Sequence, residues 1–526
     1  MRGYNPKLSP GAKIVTPSGV DDTIRINLAL AEGGHVYLPN LGIDFIISDT
    51  LFIPSNTRLE IDPYARIYLA NDSNDEMIQN SDMVNGNINI FIDGGIWDAN
   101  NSNQTRDDAG GYIGSSIQLK NITGLILKNI TLKDPVSFGI QVGDIHYFEI
   151  ENITFDYNGL KPNMDGVHLN GLCDHGVIKN LQGTTYDDLL ALNADDGAQY
   201  QLTQGEIYDI EVDGIFSTGG YRAVRILSGN SSVHGITIKN INGSYVYAAI
   251  LFSNYAQGNS NIYDINITDV KATMTAANEG LIHIDTNIKN LRISGILRNQ
   301  TGGTIYENVR ITGGHTVNSL IITDMLTEDY TSAGLSLIYV MATATVGKFI
   351  IDKSIHRVLN GSNHGRLIVN RGVINDLVVS NSILDSGLQL IAVTSGGVLN
   401  NCQLANVKCS NLSYLVLCDT SSIGRISISN TYLNTLINII SLINATIGTV
   451  KIKTSCLSYE NLSGSPINRV AQSYNYSGHD IPVDPSTFTA PTIGDSVVSN
   501  MVGKTQGLAW YNGTNWISVV DGSIIS

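Results

Sequence analysis

Short apolar strings recur along most of the chain at intervals that suit one coil of a solenoid. Each string sets Ile, Leu or Val around a middle residue that is usually small and polar. Thirteen strings share one register: LKNIT (127–131), IENIT (150–154), IKNLQ (178–182), VDGIF (212–216), IKNIN (238–242), ITDVK (267–271), ISGIL (293–297), ITDML (322–326), IDKSI (351–355), VSNSI (379–383), LANVK (404–408), ISNTY (428–432) and IKTSC (452–456). We interpret each as strand, tight turn and strand, with a middle residue that tolerates left-handed backbone geometry.

The middle residues of these strings lie 23 to 34 residues apart, which predicts one β-helical coil per string. Stacked coils would bury the Ile, Leu and Val positions in one continuous core. The predicted fold class is therefore all-β, a right-handed parallel β-helix over residues 55–465. A β-propeller, the alternative, repeats every 40–50 residues or so with a blade signature, and the chain carries neither feature.

Both ends of the chain depart from this repeat. GVDDTIRINLALAEGGHVYLP predicts a short amphipathic helix with Asp21 or Asp22 as its N-cap and Gly33-Gly34 as its stop. Residues 1–54 are predicted to form a cap over the open strand edges of the solenoid. Residues 466–526 are proline-rich and then carry GLAWYNGTNWISVV, the pattern of a small β-hairpin module.

Charge and composition limit the partners. The formal net charge is −16 and no Lys/Arg cluster occurs, so we expect no nucleic-acid partner. No apolar run is long enough to span a bilayer, and MRGYNPKLSPGAK lacks the apolar region of a signal peptide, so neither membrane insertion nor an export signal is expected. The five cysteines lack C-x-x-C spacing and are predicted to be buried thiols: Cys173, Cys402, Cys409, Cys418 and Cys456.

Candidate chemistry is concentrated in two neighbouring coils, NMDGVHLNG (163–171) and YDDLLALN (186–193). Equivalent positions on stacked coils lie about 4.7–4.9 Å apart, so Asp165 is expected near Asp187 or Asp188 on an exposed patch of the outer wall. Crowded carboxylates raise the pKa of one member, which suits glycoside hydrolysis by a carboxylic acid and a carboxylate base. The alternative is that Asp-Asp and Asp-Gly are only turn formers.

These motifs resemble the signature order of family 28 glycoside hydrolases, the polygalacturonase group. Asn163-x-Asp165-Gly166 is similar to the NTDG motif of that family, Asp187-Asp188 to its DD motif, and Arg225-Ile226 to its RIK motif. The resemblance covers residues 120–255, and beyond them it is architectural. It implies that Asp187 is the general acid, that Asp165 and Asp188 position and deprotonate water, and that the anomeric configuration inverts.

The resemblance also implies substrate-binding residues, although two family features are missing. Asn163, Arg225, Arg222, Tyr221, His168 and Lys161 are the candidates for binding substrate. No Gly-His-Gly motif lies between Asp188 and Arg225, and Leu227 replaces the second basic residue of the RIK motif. Specificity for galacturonan is therefore not implied.

Further polar and aromatic residues lie on these coils or beside them. Asn193, Asp195 and Asp196 have oxygen atoms that suit Ca²⁺, but NADDG is also a plain turn, and no metal or cofactor is expected. His168 alternates with Val167 and Leu169, so it faces away from them, toward substrate or into a structural contact. Gln141 and Lys161 are expected to widen the groove. Tyr186 and Tyr221 are expected to provide aromatic surfaces on which sugar rings stack.

The N-terminal helix, the β-helix and the proline-rich end together resemble bacteriophage tailspikes. This resemblance implies a homotrimer on the virion tail, acting extracellularly on a bacterial capsular or surface polysaccharide. It also implies attachment to the virion tail or to another spike through an N-terminal anchor that this chain does not show. The alternatives are a polysaccharide lyase on the same fold, a secreted pectin-type hydrolase and a non-catalytic polysaccharide-binding spike.

Overall fold

The computed structural model describes residues 9–106, 113–158, 163–255, 258–275, 279–300, 307–329, 336–358, 365–385, 387–452, 457–460, 467–470, 482–483, 496–499, 507–511 and 516–518. The chain divides into two compact units, Met1–Ala276 and Ala277–Ser526.

The N-terminal unit consists of β-strands and one α-helix, α1 (Thr23–Ala31), with a short 3-10 turn at Asn101–Asn103, as far as its described residues go. Its strands are β1 (Lys13–Ile14), β2 (Gly34–Leu38), β3 (Phe45–Ile47), β4 (Leu51–Ile53), β5 (Thr57–Leu69), β6 (Ile78–Asn80), β7 (Asn87–Asp98), β8 (Ile117–Lys128), β9 (Thr131–Lys133), β10 (Ile140–Asp156), β11 (Val167–Asn170), β12 (Cys173–Thr184), β13 (Asp188–Asn193), β14 (Ile207–Leu227), β15 (Ser232–Ser253) and β16 (Asn261–Met274).

Strands of this unit pair in parallel with strands one coil further along the chain. On one face β8 pairs with β10, β10 with β11, β11 with β13, β13 with β14 and β14 with β15. This register aligns one row of fully buried aliphatic residues: Ile117, Ile140, Val167, Leu190, Val224 and Ile250. Burying such a side chain is worth about 1.5–3 kcal/mol, so each coil adds to a common core.

The helix α1 packs at the start of this unit as the sequence predicts. Its buried residues are Thr23, Ile26 and Leu30. Asp22 occupies the N-cap position, but the side chain that accepts the hydrogen bond of the Thr23 N–H is that of Asp21, at 2.9 Å. The carboxylate of Asp22 binds Arg25 instead, at 2.7 Å.

The described strands of the C-terminal unit follow the same plan. They are β17 (Ile282–Asp285), β18 (Ile288–Gln300), β19 (Val309–Ile311), β20 (Thr316–Thr323), β21 (Leu326–Asp329), β22 (Ser336–Val340), β23 (Thr345–Asp352), β24 (Ile355–Val358), β25 (Gly365–Asn370), β26 (Val373–Ser380), β27 (Ile383–Asp385), β28 (Gly387–Thr394), β29 (Val398–Ala405), β30 (Lys408–Asp419), β31 (Ser422–Ser429), β32 (Thr431–Ile443), β33 (Thr446–Ile452), β34 (Leu457–Glu460), β35 (Ile467–Val470), β36 (Pro482–Val483), β37 (Ser496–Ser499), β38 (Gly507–Tyr511) and β39 (Trp516–Ser518).

Two kinds of sheet occur in the C-terminal unit. Strands up to β35 pair in parallel, and β36 to β39 form a separate small sheet in which β38 and β39 are antiparallel, as the hairpin pattern predicts. In the parallel part, Cys402 occupies a core position in register with Leu377 and Ile426. Cys173, Cys402, Cys409 and Cys418 are free and buried, and Cys456 lies outside the described residues.

The middle residue of each repeated string adopts the left-handed conformation wherever the structure describes it. These residues have φ between 47° and 86°: Asn129, Asn152, Asn180, Gly214, Asn240, Asp269, Gly295, Asp324, Lys353, Asn381, Asn406 and Asn430. Asn, Asp and Gly reach this region at little cost, so the repeat encodes the turns as well as the core. The predicted parallel β-helix, with its N-terminal helix and small C-terminal β region, is confirmed. Among the described residues, no helix is long and apolar enough to cross a membrane.

Candidate active site

Three successive coils of the N-terminal unit bring the predicted acidic residues together. Asp165 precedes β11 and Asp188 begins β13, and the N–H of Gly166 donates to the carbonyl of Asp188 at 2.8 Å. Asp188 is in turn aligned with Arg222 of β14. A Cβ on Gly166 would lie 2.5 Å from the carbonyl oxygen of Leu189, so the close approach of these coils requires glycine there.

The carboxylates of Asp165, Asp187 and Asp188 form one cluster. One oxygen of each lies within 4.8 Å of the others. Asp165 and Asp188 are only 3% and 1% exposed, whereas the Asp187 side chain is 21% exposed. The expectation of an exposed patch is therefore wrong for two of the three residues.

The cover over these carboxylates comes from residues that the repeat does not describe. The step between the strings centred on Asn180 and Gly214 is the longest in the chain, and residues 194–206 within it leave the strand pattern. This segment contributes Asp196, Gly197 and Tyr200 to a cavity of about 160 Å³. The residues lining the cavity are Phe138, Asn163, Asp165, His168, Asp187, Asp188, Asn193, Asp196, Gly197, Tyr200, Arg225 and Tyr255.

Arg222 lies beside the carboxylates and not on the cavity wall. Its Nη1 donates to Oδ1 of Asp187 at 2.6 Å and to Oδ1 of Asp188 at 2.8 Å. The guanidinium carbon is 4.6 Å from the ring centres of both Tyr221 and Tyr247. Arg222 and Tyr221, both expected to bind substrate, are thus placed where Arg222 offsets the charge of the aspartates and Tyr221 supports Arg222.

The surroundings of Asp187 favour its protonated form. Burial, followed by the charges of Asp188 and Asp165, raises the pKa of Asp187 to about 8, and the opposing charges of Arg222 and Arg225 do not cancel this rise. A carboxyl group with such a pKa carries a proton at neutral pH and faces the cavity. It is therefore suited to donate that proton to a leaving oxygen.

His168 joins two buried carboxylates. Its Nδ1 lies 2.6 Å from Oδ2 of Asp165 and its Nε2 lies 2.9 Å from Oδ2 of Asp196. Burial alone lowers the pKa of His168, but the hydrogen bonds with both aspartates outweigh it and raise the pKa to about 10. For Asp196 the effects are reversed: burial raises the pKa of this carboxyl, but the hydrogen bond from His168 outweighs burial and lowers the pKa to about 2.

Arg225 is the cation that lines the cavity. Its guanidinium carbon lies 3.9 Å from the ring centre of Tyr255, and Nε donates to the hydroxyl of Ser253 at 3.3 Å. Nη1 is 3.8 Å from Oδ2 of Asp188. These contacts fix the plane of the guanidinium beside the acidic cluster.

The remaining predicted residues are placed as follows. Asn163 lines the cavity with a left-handed backbone, φ 59°, and Lys161 lies outside the described residues. Gln141 is fully buried, donating to Asn170 at 3.0 Å and accepting from Gln118 at 3.1 Å, so the expected widening of the groove does not come from Gln141. Tyr186 is 36% exposed and does not line the cavity.

The two aspartates proposed as Ca²⁺ ligands, Asp195 and Asp196, already have protein partners. Asp195 accepts hydrogen bonds from the N–H groups of Gly229, Asn230 and Ser231. Burial raises the pKa of Asp195, but the hydrogen bonds from Ser231 outweigh it and lower the pKa. Asp196 binds His168, and the clustered carboxylates bind Arg222 and His168, so we assign no metal to any of these residues.

Several cavity residues were not predicted to bind substrate. Phe138 stacks on His168 with ring centres 4.1 Å apart, and Tyr200 packs edge-on against Phe138 at 6.4 Å. Asn193 is 2% exposed, and its Oδ1 has no hydrogen-bond partner among the described residues. A buried amide oxygen without a partner is costly, which makes it a natural acceptor for a bound hydroxyl. The sequence signal for residues 194–206, here named the covering loop, is the unusually long step in the repeat.

No protein-family model and no curated protein matches the sequence. Among solved structures, the chain is similar to the N-terminal fragment of gene product 12 of bacteriophage Phi29, with 14% identity over 96% of this chain and 94% of that chain, at a TM-score of 0.44. It is also similar to the family 28 exopolygalacturonase of Yersinia enterocolitica, with 11% identity over 89% and 78% of the two chains and a TM-score of 0.35. Tailspike protein 3 of bacteriophage CBA120 has 11% identity over 96% and 67%, at a TM-score of 0.27. Both groups that the sequence resembles, the tailspikes and the family 28 glycosidases, are thus among these structures.

Proposed function

We propose that the protein is a glycoside hydrolase of a phage tailspike, which cleaves a bacterial capsular or other surface polysaccharide. The observation that carries this proposal is the carboxylate cluster in the cavity, one of whose members, Asp187, has a pKa raised to about 8. Glycoside hydrolysis needs one protonated and one ionised carboxyl group close to the same bond, and this cluster can supply both.

In the proposed reaction Asp187 is the general acid and Asp188 the general base. Asp188 Oδ1 accepts from Arg222, whereas Oδ2 lies 3.8 Å from Arg225, beyond hydrogen-bond distance, and remains able to take a proton. Water bonds to the anomeric carbon as the glycosidic C–O bond breaks. The proton of Asp187 goes to the leaving oxygen, and one proton of the water goes to Asp188.

Asp165 supports this pair electrostatically. Its Oδ2 is hydrogen-bonded to His168, and its Oδ1 accepts the N–H of Asp188 at 3.3 Å. With both oxygens engaged, Asp165 is less suited than Asp188 to accept a proton. Its position in the cluster instead disfavours ionisation of Asp187.

We further propose that the reaction inverts the anomeric configuration. Two-carboxylate inverting sites usually separate their carboxyl groups by about 6.5–9.5 Å and retaining sites by about 5–5.5 Å. Here the nearest oxygens lie within 4.8 Å, but the cluster has three members, so Asp165 and Asp188 together can orient the water while Asp187 acts as acid. The anomer of the first product, identified by proton NMR, decides the point, because a retained product would make one of these residues a nucleophile.

The composition of the cavity wall suits a carbohydrate ligand. Tyr200, Tyr255 and Phe138 present aromatic surface, while Asn193, Asn163 and Arg225 present polar groups. This mixture of apolar walls and a few convergent polar groups is usual for small-molecule sites. We assign Arg225, Asn163 and Asn193 to binding hydroxyl or carboxylate groups of the sugar.

The test of this function uses a panel of bacterial capsular polysaccharides and three variants. Asp187→Asn and Asp188→Asn are expected to lower the rate of reducing-end formation by about 10²–10⁴-fold. Asp209→Asn is the matched control, because the Asp209 side chain is 58% exposed and its left-handed backbone tolerates asparagine. Full activity in both site variants would refute the assignment.

A further inference from the structure

Asp165 belongs to one of the motifs that carry the family resemblance, whereas His168 and Asp196 lie outside those motifs. His168 is 2% exposed, and both of its ring nitrogens point at carboxylate oxygens, at 2.6 and 2.9 Å. Asp165 and His168 come from one coil, whereas Asp196 comes from the segment that follows β13. The covering loop therefore supplies one of the two carboxylates.

We propose that His168 is a positioning residue that keeps Asp165 ionised, and that Asp196 is the carboxylate that holds His168 in its doubly protonated form. This inference rests on the proposed function, because the charge of Asp165 matters through its effect on the acid Asp187. In this role His168 acts through Asp165 and contacts neither the substrate nor the reacting atoms.

The contacts of Nε2 discriminate between the imidazolium and a neutral ring that carries its proton on Nδ1. A neutral ring with Nε2 unprotonated would accept from the Asn170 amide nitrogen, which lies 3.3 Å away. That state would also leave a lone pair facing the Asp196 oxygen at 2.9 Å, which is repulsive. The Asn170 amide cannot simply turn over, because its Oδ1 accepts from Gln141 and from the N–H of Leu202, both at 3.0 Å.

The charged groups around His168 are consistent with an imidazolium. Asp165 lies on its own coil, Asp196 follows β13, and Asp188 and Arg225 line the same cavity from β13 and β14. Phe138 stacks on the ring, and His168 is only 2% exposed. Two carboxylates within hydrogen-bond distance outweigh the single cation Arg225, and the pKa of His168, raised to about 10, agrees with this.

The consequence for Asp187 follows from the proximity of Asp165. Burial raises the pKa of Asp165, and the hydrogen bond from His168 opposes that rise. If His168 loses its second proton, Asp165 loses a cationic partner and takes up a proton more readily. Asp187 then has one charged neighbour fewer, so its pKa falls and the acid loses its proton at lower pH.

The first experiment needs no substrate. The full chain is labelled with ¹⁵N in its histidine rings, and the His168 signals are assigned with a His168→Gln variant. We expect both ring nitrogens of His168 to remain protonated as the pH rises from 7 to about 9 in the unmodified chain, and Asp196→Asn to lose one proton within that range. A singly protonated His168 at pH 7 in the unmodified chain would overturn the proposal, whatever the fate of the proposed function.

The second experiment measures the pH dependence of cleavage for Asp196→Asn and Asp196→Glu. In Asp196→Asn the alkaline fall of kcat is expected about one pH unit lower than in the unmodified chain, and Asp196→Glu is expected to restore it. A lower kcat with an unmoved alkaline limb would show that Asp196 serves only the fold. The NMR result separates this outcome from failure of the proposed function, since it holds with or without a cleaved polysaccharide.

Discussion

The neighbouring residues Asp187 and Asp188 show how two identical side chains acquire different roles. Both accept a hydrogen bond from Arg222, but Asp188 is buried, whereas Asp187 is partly exposed to the cavity and carries the raised pKa. The sequence predicted that Asp165 would lie next to this pair, because coil spacing follows from the repeat. The sequence did not predict that Asp165 and Asp188 are buried. Tyr200 and Tyr255, which line the cavity, lie outside the strands that the repeat predicts.

The pKa of Asp187 predicts how activity depends on pH. Only the protonated carboxyl can donate to the leaving oxygen, so kcat is expected to fall as the pH rises through about 8. A pH series of initial rates on one cleaved polysaccharide measures this limb. An alkaline limb below pH 6 would contradict the assignment of Asp187 as the acid.

Substitution of Asp187 and substitution of Asp188 by asparagine are expected to change the free energy of unfolding in opposite directions. Folded Asp187 keeps its proton up to about pH 8, whereas its ordinary value is 3.8, so the free energy of unfolding falls as the pH rises between these values. Asp187→Asn removes that loss but weakens the hydrogen bond from Arg222 at 2.6 Å, and the net effect expected at pH 8 is stabilisation by about 1 kcal/mol.

Asp188→Asn is the matched comparison, because it weakens the buried contact with Arg222. It is expected to destabilise by roughly 1–3 kcal/mol. Thermal unfolding at pH 5 and pH 8 measures both variants, and equal shifts of the same sign at pH 8 would contradict this account.

At the scale of elements, the turn residue of each coil was predictable because the left-handed conformation selects residue types. Among the coils whose turn residue the structure describes, Asn, Asp or Gly occupies this position in all but one, and Lys353 is the exception there, with φ 51°. The cap of α1 was less predictable: Asp21 and Asp22 both suit it, and only the path of the chain decides that Asp22 is the N-cap while Asp21 accepts the hydrogen bond of the Thr23 N–H.

This exception allows a reciprocal test on consecutive coils of the C-terminal unit. Lys353→Asn is expected to stabilise the protein by about 1 kcal/mol, since a left-handed conformation costs most residues roughly 1–2 kcal/mol and asparagine less. Asn381→Lys, at φ 48°, is expected to destabilise by at least as much, because it also loses a hydrogen bond to Asp352 at 2.7 Å. Denaturant unfolding of both variants provides the measurement, and a destabilised Lys353→Asn would contradict the turn argument.

At the scale of the whole molecule, the repeat carries most of the fold information and the composition limits the partners. A net charge of −16 with no basic cluster leaves the acidic cavity in the N-terminal unit as the strongest functional feature. The small sheet of β36 to β39 was predicted only as a hairpin, because 12 residues separate β36 from β37 and 7 separate β37 from β38, so no short hairpin turn marks these pairings in the sequence.

The proposed tailspike role predicts a homotrimer on the virion tail. Sedimentation equilibrium of the chain is expected to give three times the chain mass of 56.7 kDa. A mass of one chain at micromolar concentration would count against the tailspike role and leave the proposed hydrolysis untouched.

Two products of one digestion show most directly whether the protein is a hydrolase with Asp187 as its proton donor. Capsular polysaccharides are incubated with the unmodified chain and with Asp187→Asn, and new reducing ends and unsaturated uronates are recorded together. The account predicts reducing ends without unsaturated uronates, and their loss in the variant, because Asp187 is the proton donor at this cavity. Unsaturated uronates, which a lyase forms, or undiminished cleavage by the variant, would contradict it.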